Sequence, residues 1–227
     1  MDNFNRQKFY DFCNAENFGK KLFCFKIIDS TNAHASLLEG RALRLNKEES
    51  FFKKLSGTVI ISEIQSSGRG SNYKKWFSPS GGLWFTLILF LKIKATDVEK
   101  INIIMAVSIC EAISSILDLN MKIKWPNDIY FEDKKICGIL SELNNSSSSS
   151  FLNMGVGLNT NIDFNKTTPK DIPVSNAISL KEIVKDDINN EKLLAFIIEY
   201  FEVNYEYFIK TGDLKNILSK VGCTVCI

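Results

Sequence analysis

Histidine is almost absent from this sequence, which has one in 227 residues. A hydrolase built on serine, histidine and aspartate would have to use His34, and no G-x-S-x-G nucleophile elbow accompanies it. We therefore interpret His34 as a residue on the surface of a helix, and we do not expect serine-hydrolase chemistry.

Excess charge of one sign and long apolar runs are also missing. Lysine and arginine number 28 against 26 acidic residues, a net charge of +2, which is too balanced for a general nucleic-acid-binding surface. No apolar run reaches the roughly 18 residues that cross a bilayer. The N-terminus has acidic residues and lacks the apolar core of a signal peptide. We expect a cytoplasmic protein that binds neither nucleic acid nor membrane.

The six cysteines are scattered, and we expect them to be reduced in the cytoplasm. Only Cys223 and Cys226 form a C-x-x-C pair, which fits a redox pair or half of a metal site. We favour the alternative that valine and cysteine alternate in a terminal strand.

What is present indicates a globular α+β domain, with 45% hydrophobic and 24% charged residues. Apolar runs predict strands at residues 22–28, 58–64, 83–91, 121–125, 129–131, 135–143 and 151–158. Apolar periodicity predicts helices at 33–45, 97–117, 177–184 and 189–210, the last ending at Gly212. Hairpin-length connections and interspersed helices predict a mixed, largely antiparallel sheet with helices packed on one face.

The most informative segment runs from Gln65 to Trp84, QSSGRGSNYKKWFSPSGGLW, between two apolar runs. Gly68 and Gly70 let backbone N–H groups approach a ligand closely. Arg69 between them offers a planar fork that suits phosphate or carboxylate oxygens. The segment is predicted to close over an anion.

A second segment, KWPND, ends at Asp128. Pro126 fixes its own φ and biases Trp125 toward an extended backbone, which places Asn127 and Asp128 at a defined corner. Asp128 suits Mg²⁺ or a lysine as its partner, and Asn127 suits a base or sugar. Ordinary turn chemistry is the alternative.

Two further segments carry small or basic residues on predicted strands. Lys134 and Lys135 point to opposite faces of their strand, so one of them can face a site. Gly155 and Gly157 leave room for a ligand. No G-x-G-x-x-G opens a helix here and no Walker A motif is present, so a nucleotide must be held in another way.

The run Asp29-Ser30-Thr31-Asn32 precedes a predicted helix. Hydroxyl and amide groups at a helix N-terminus suit a polar ligand group or an anion. Ordinary helix capping is the alternative.

Taken in order, D-S-T-N, Q-x-x-G-R-G, W-x-S-P, K-W-P-N-D, K-x-x-G and G-x-G-x-N resemble the biotin–protein ligase family, also called biotin–[carboxylase] ligase or holocarboxylase synthetase. The resemblance extends from about residue 22 to beyond residue 159. It implies the biotin/lipoate ligase catalytic fold and an ATP- and Mg²⁺-dependent enzyme that forms biotinyl-5′-AMP and pyrophosphate. The partner that it implies is the biotin carrier domain of a carboxylase, which receives biotin on one lysine.

The resemblance also assigns roles to residues. Biotin contacts are implied for Ser30, Thr31, Asn32, Gln65, Gly68, Arg69, Gly70, Ser71, Lys135 and Gly138. ATP contacts are implied for Arg69, Trp76, Asn127, Lys135 and Asn159. Catalysis is implied for Lys135, Arg69 and Asp128, with Asp128 as acceptor of a proton from the carrier lysine. No resident metal site is implied, because Mg²⁺ enters with ATP.

Three departures from the family pattern affect the expectations. Ser71 begins a less basic stretch after the second loop glycine, which predicts a weaker hold on the adenylate unless Lys74 and Lys75 compensate. Residues 221–227 resemble the first strand of a further C-terminal β domain, and residues 1–21 are interpreted as an extension before a catalytic domain at 22–220. No winged helix precedes residue 22, so a repressor role is not expected.

Two other functions remain open from the sequence. A lipoate–protein ligase is similar in fold and also acylates a carrier lysine. A degenerate module that binds biotin or a carrier domain without turnover is the second alternative. Pairing of an exposed sheet edge would also permit a homodimer.

Overall fold

The computed structural model describes residues 4–45, 52–72, 74–91, 97–145, 150–167, 176–220 and 225–226. Its strands are β1 Lys21–Ile28, β2 Thr58–Gln65, β3 Leu83–Leu91, β4 Lys122–Lys124, β5 Asp128–Phe131, β6 Lys134–Asn145, β7 Ser150–Leu158 and β8 Val225–Cys226. Its helices are α1 Arg6–Phe12, α2 Thr31–Leu45, α3 Val98–Leu117, α4 Phe164–Thr167, α5 Leu180–Val184, α6 Asn190–Thr211 and α7 Leu214–Ser219.

The strands form one eight-stranded sheet in the order β1-β2-β3-β7-β6-β5-β4-β8. The β1–β2 and β4–β8 pairs are parallel, and the other neighbouring pairs are antiparallel. The prediction of a mixed, largely antiparallel sheet is confirmed. Residues 146–149 of the serine tract, residues 168–175 of the polar loop and Cys223 lie outside the described residues.

The larger hydrophobic core lies between one face of the sheet and helices α3 and α6. Alternate residues of β3, among them Phe85 and Leu87, point into this core and are fully buried. α3 is long and apolar enough to cross a membrane by length and composition, with a mean hydropathy of 1.6. Because 67% of that stretch is buried inside the protein, α3 is the central helix of the core.

α2 packs on the opposite face, around a smaller core that includes Ala35, Ala42, Ile60 and Phe151. We predicted that the helices pack on one face of the sheet. This holds for α3 and α6 of the larger core, whereas α2 packs on the other face. The residues of α2 that are buried in this core are alanines, and Leu38 and Leu43 pack beside them while partly exposed, so the sequence gives little signal for this placement. α2 covers only part of this face, and the remainder is open for a site.

The N-terminal segment packs against α6 through a buried carboxylate. Glu202 accepts hydrogen bonds from the backbone N–H groups of Glu16, Asn17 and Phe18 at 2.6, 2.8 and 2.6 Å. Phe9 of α1, a helix that the sequence did not predict, is fully buried beside them. Residues that looked like an extension therefore contribute to the core.

We expect Glu202→Gln to lower the free energy of unfolding by about 1–3 kcal/mol, because buried backbone donors lose a charged acceptor. Urea unfolding measures the change. Glu206→Gln is the matched control, since Glu206 is an exposed residue of the same helix that accepts only from the side chain of Asn17. If Glu202→Gln changed the free energy of unfolding no more than Glu206→Gln does, Glu202 would not be the residue that holds the N-terminal segment.

Glu39 of α2 is a second buried carboxylate, with 2% of its surface exposed. Asn144 Nδ2 donates to its Oε2 at 2.8 Å, whereas its Oε1 is buried without a partner among the described residues. Burial raises the pKa of Glu39 to about 7. Hydrogen bonding from Asn144 and Asn153 opposes the rise, and the negative charge of Glu142 adds to it. In the folded protein, Glu39 is therefore mainly protonated below about pH 7 and mainly ionised above it.

A raised carboxyl pKa makes the folded state more stable at low pH. The contribution is complete below the ordinary pKa of 4.5 and is lost as pH rises through about 7. We expect Glu39→Gln to remove this dependence and to be more stable than wild type at pH 8 by roughly 1–3 kcal/mol. Urea unfolding at pH 5 and pH 8 tests this, and an unchanged pH dependence in Glu39→Gln would refute it.

Candidate functional site

A pocket opens on the same face of the sheet as α2, beside the N-terminal end of that helix. Its volume is about 500 Å³ when the space open to solvent is included. It is lined by Ser30, Thr31, Asn32, Gln65, Arg69, Gly70, Ser71, Trp76, Asn127, Asp128, Lys135, Gly138, Ile139, Leu140, Gly155, Val156 and Gly157. The segments singled out from the sequence thus meet at one place.

The floor of the pocket is the bare backbone of the two central strands β6 and β7. Gly138 pairs with Gly157, and Gly155 pairs with Leu140, in the antiparallel register. A side chain at Gly157 would overlap the indole of Trp76. Glycine is therefore required here, because the indole lies directly on the strand backbone.

The first wall of the pocket is polar and is held by hydrogen bonds. The backbone N–H and hydroxyl of Thr31 donate to Gln65 Oε1 at 2.8 and 3.1 Å. Gln65 Nε2 donates to Ser78 Oγ at 2.9 Å. Ser30 stands at the N-cap of α2: its carbonyl accepts from the backbone N–H of His34 at 3.0 Å, and its hydroxyl accepts from that of Ala33 at 3.5 Å. The start of α2 is thereby linked to Gln65 and, through it, to Ser78, which precede and follow the G-R-G motif.

Asn32 continues this wall across the sheet. The hydroxyl of Thr86 donates to Asn32 Oδ1 at 2.6 Å. Asn32 Nδ2 donates to the carbonyl of Leu140 at 3.1 Å and to Glu142 Oε2 at 2.9 Å. Asn32 is 3% exposed, and its amide would overlap any side chain at Gly155. Its orientation is fixed by partners on β3 and β6.

The mouth of the pocket is covered by residues 68–72 and 74–76, which we call the flap. The flap folds back on itself, since the backbone N–H of Gly70 donates to the carbonyl of Lys74 at 2.7 Å and that of Trp76 to Gly68 at 2.9 Å. Arg69 and Lys75 face each other in this short antiparallel pair. The described part of the flap is therefore a compact hairpin.

Two ion pairs flank the pocket. Arg69 Nη2 lies 2.9 Å from Glu142 Oε2, and Lys135 Nζ lies 2.7 Å from Asp128 Oδ1. Each cation that the sequence singled out is thus held by a carboxylate. The pairing orients both cations before an anion enters.

Trp76 lies between the floor and Lys135. Lys135 Nζ stands 5.2 Å from the centre of the indole ring, within reach of a cation–π contact. The indole N–H is buried and donates to no group among the described residues. A donor in this state is available to a ligand that enters the pocket.

Asn127 lines the pocket while it ties the KWPND corner to β6. Its Nδ2 donates to the carbonyl of Ile139 at 2.9 Å, and the backbone N–H of Ile139 donates to the carbonyl of Asn127 at 2.8 Å. This two-way contact places Asp128 next to Lys135.

Cys137 is fully buried on β6, between Lys135 and Gly138 in sequence, and points to the core side of the sheet. Burial raises the pKa of its thiol. The thiol is therefore protonated and is not a nucleophile for the pocket.

Two residues to which the resemblance gave ligand contacts do not line the pocket. Gly68 is buried at the base of the flap, where a side chain would collide with Ser78 Oγ and the carbonyl of Trp76. Asn159 is 3% exposed, and its amide donates to the carbonyls of Lys135 and Ile178 at 3.4 and 3.2 Å. Gly68 therefore allows the close packing of the flap, and Asn159 holds the backbone near Lys135 in place.

Other predicted site residues line the pocket, and their ligand contacts stay predictions. Those placed together are Ser30, Thr31, Asn32, Gln65, Arg69, Gly70, Ser71, Trp76, Asn127, Asp128, Lys135 and Gly138. Lys134 is exposed whereas Lys135 lines the pocket, so the expected alternation of the two lysines is confirmed.

Two polar residues of the site were missed, although each carries a sequence signal. Thr86 is the only polar residue in the apolar run LWFTLILFL. Glu142 follows Gly138 at an even spacing along β6, which places both on the same face of the strand. Period-two counting from the pocket glycine would have identified Glu142.

Comparison with known proteins supports the interpretation of this geometry. A model of the biotin/lipoate A/B protein ligase family matches residues 24–159. The chain is 29% identical to the bifunctional ligase/repressor BirA of Bacillus spizizenii over 69% of this chain and 48% of the relative. It is 28% identical to biotin–protein ligase 2 of Arabidopsis thaliana over 92% of this chain and 60% of the relative.

The fold also matches solved structures. The biotin protein ligase from Aquifex aeolicus, determined in complex with biotin and ATP, aligns with a TM-score of 0.69 and 27% identity over 88% of this chain and 76% of that one. The chain spans about half the length of the first of the curated relatives that it matches. The family model covers more than half of the chain, so this protein belongs to the biotin/lipoate A/B protein ligase family.

Proposed function

We propose that this chain joins biotin to ATP to form biotinyl-5′-AMP and then transfers the biotin to a lysine of a carboxylase biotin carrier domain. The observation that carries the proposal is the placement of Arg69 and Lys135 in one pocket with the polar wall of Thr31, Asn32 and Gln65. The Aquifex relative was solved with biotin and ATP, which supports the choice of ligands.

The pocket suits the parts of biotin. Its polar ring carries N–H donors and a carbonyl acceptor, which the amides of Asn32 and Gln65 and the hydroxyl of Thr31 would match. Asn32 and Trp76 lie directly on the backbone of Gly155 and Gly157, and the apolar part of the molecule would lie against these groups in the pocket. The carboxylate would then lie toward the cations, since opposite charges attract most strongly where water is displaced.

In the first step, a carboxylate oxygen of biotin attacks the α-phosphorus of ATP, and the bond to pyrophosphate breaks. Two anions must approach each other, so the barrier falls when positive charge is already in place. Lys135 and Arg69 supply that charge, and the free indole N–H of Trp76 is a further donor nearby. The flap covers the mouth of the pocket and would shield the mixed anhydride from water.

In the second step, the amino nitrogen of the carrier lysine attacks the acyl carbon, and AMP leaves as the amide forms. The attacking amine must lose a proton. Asp128 is paired with Lys135 at 2.7 Å. When Lys135 turns to the acyl phosphate, the carboxylate of Asp128 becomes free to accept the proton.

Mg²⁺ would stabilise charge on the phosphate oxygens of ATP when it is bound. Across the described residues, no three histidine, cysteine, aspartate or glutamate side chains lie together in a way that would hold a metal ion. We expect the ion to enter on the phosphates, with Asp128 as the nearest carboxylate of the KWPND corner.

The direct test is release of pyrophosphate from ATP and Mg²⁺, measured with biotin, with lipoate and with neither. We expect release that depends on biotin, because the Arabidopsis relative is a biotin–protein ligase and the Aquifex structure was determined with biotin and ATP. Release with lipoate alone would assign the chain to the lipoate branch. No release with either acid would support a binding module without turnover.

We expect Lys135→Ala to slow biotin-dependent pyrophosphate release about 100-fold or more, because a charge directed at the reacting phosphate is lost. The matched control is Lys134→Ala, since Lys134 is the adjacent lysine and is exposed outside the pocket. Equal rates for Lys135→Ala and wild type would remove Lys135 from the mechanism.

A further inference from the structure

We propose that Glu142 is a positioning residue that sets the closed position of the flap by holding Arg69, and that it thereby controls how fast a bound acid leaves the pocket. The part of this proposal that concerns the ligand rests on the proposed function. The part that concerns the flap does not.

Glu142 joins the flap to the polar wall through a single oxygen. Its Oε2 accepts from Arg69 Nη2 at 2.9 Å and from Asn32 Nδ2 at 2.9 Å. Arg69 belongs to the flap, and Asn32 belongs to α2. One carboxylate on β6 therefore connects the flap to Asn32, which is buried and held by other partners.

The contact between Arg69 and Glu142 holds the whole flap, because the flap is held together by its own hydrogen bonds. The flap is closed internally by the backbone hydrogen bonds of Gly70 with Lys74 and of Trp76 with Gly68. Within residues 68–72 and 74–75, the contact of Arg69 with Glu142 is the one side-chain ion pair that the structure shows to the body of the protein. Releasing Arg69 would free the flap from the body at this point while its internal hydrogen bonds remain.

The pair leaves Arg69 able to bind a ligand. Glu142 engages Nη2 alone, and a guanidinium has five N–H donors in a fixed fork. The carboxylate can therefore orient Arg69 while other donors of the same fork reach an anion. Loss of Glu142 is expected to change the position of Arg69 and not to improve its affinity.

The strength of the pair suits a contact that opens and closes. The side chains of Arg69 and Glu142 are 44% and 30% exposed. Ion pairs this exposed change equilibria only modestly, which corresponds to about two- to five-fold in a rate of opening. A stronger contact would hold the flap shut.

The first experiment follows flap opening without any ligand. Trypsin cleaves after Lys74 and Lys75, which are exposed in the flap, and mass spectrometry follows that cleavage alone. We expect Glu142→Gln to raise its rate about two- to five-fold. Glutamine keeps an acceptor oxygen for Asn32, so the polar wall is preserved.

A double-mutant cycle separates the pair from a general effect. Arg69→Gln should raise cleavage by the same factor as Glu142→Gln, and the double variant should add nothing further. Asp187→Asn is the matched control, because it breaks the remote ion pair with Lys181. Cleavage in Glu142→Gln at the wild-type rate, or full additivity of the two flap variants, would overturn the proposal.

The second experiment measures dissociation of biotin. We expect the dissociation rate in Glu142→Gln to rise by about the same two- to five-fold, with the association rate unchanged, and the difference to shrink at high salt. A faster association with unchanged dissociation would show that Glu142 competes with the ligand and would refute a positioning role. If biotin does not bind wild type, the proposed function fails, and the trypsin result still decides the role of Glu142.

Discussion

The site depends on the absence of side chains at three neighbouring points of the sheet. Gly138, Gly155 and Gly157 face the same side of β6 and β7, and the opposite side of these strands is packed with apolar residues of the larger core. Because no Cβ stands there, Trp76 and Asn32 can lie directly on the strand backbone. A pocket can then exist in the centre of a sheet without weakening the core on the opposite face.

The two cations of the pocket are both paired with carboxylates. The site is therefore neutral in sum although it is strongly polar in detail. A neutral, pre-oriented set of charges can admit an anion by exchange of partners. The two pairs differ in position. Lys135, which pairs with Asp128, lies over the indole of Trp76, whereas the pair of Arg69 and Glu142 connects the flap to β6.

Much of the fold could be predicted from the sequence, because β3 and β7 are nearly continuous apolar runs and α3 and α6 are long and periodic. One element that was missed, α1, has a weak local signal, because it buries only Phe9. The helix α2 was predicted, but its place on the second face of the sheet was not. The ordered motifs correctly indicated which segments meet. The motifs could not show that the side-chain amide of Asn159 donates to the backbone carbonyls of Lys135 and Ile178. Nor could they show that Glu142 lies beside Arg69. Such facts depend on three-dimensional proximity.

The carboxylate of Glu202 links the beginning of the chain to a helix near residue 200. The hydrogen bonds to residues 16–18 span about 185 positions in sequence. During synthesis, the N-terminal segment leaves the ribosome long before its acceptor exists, and its apolar side chains lack their partner surface for most of that time. The order of synthesis and the order of packing are thus opposed at this point, and we expect the first residues of the chain to be among the last to dock.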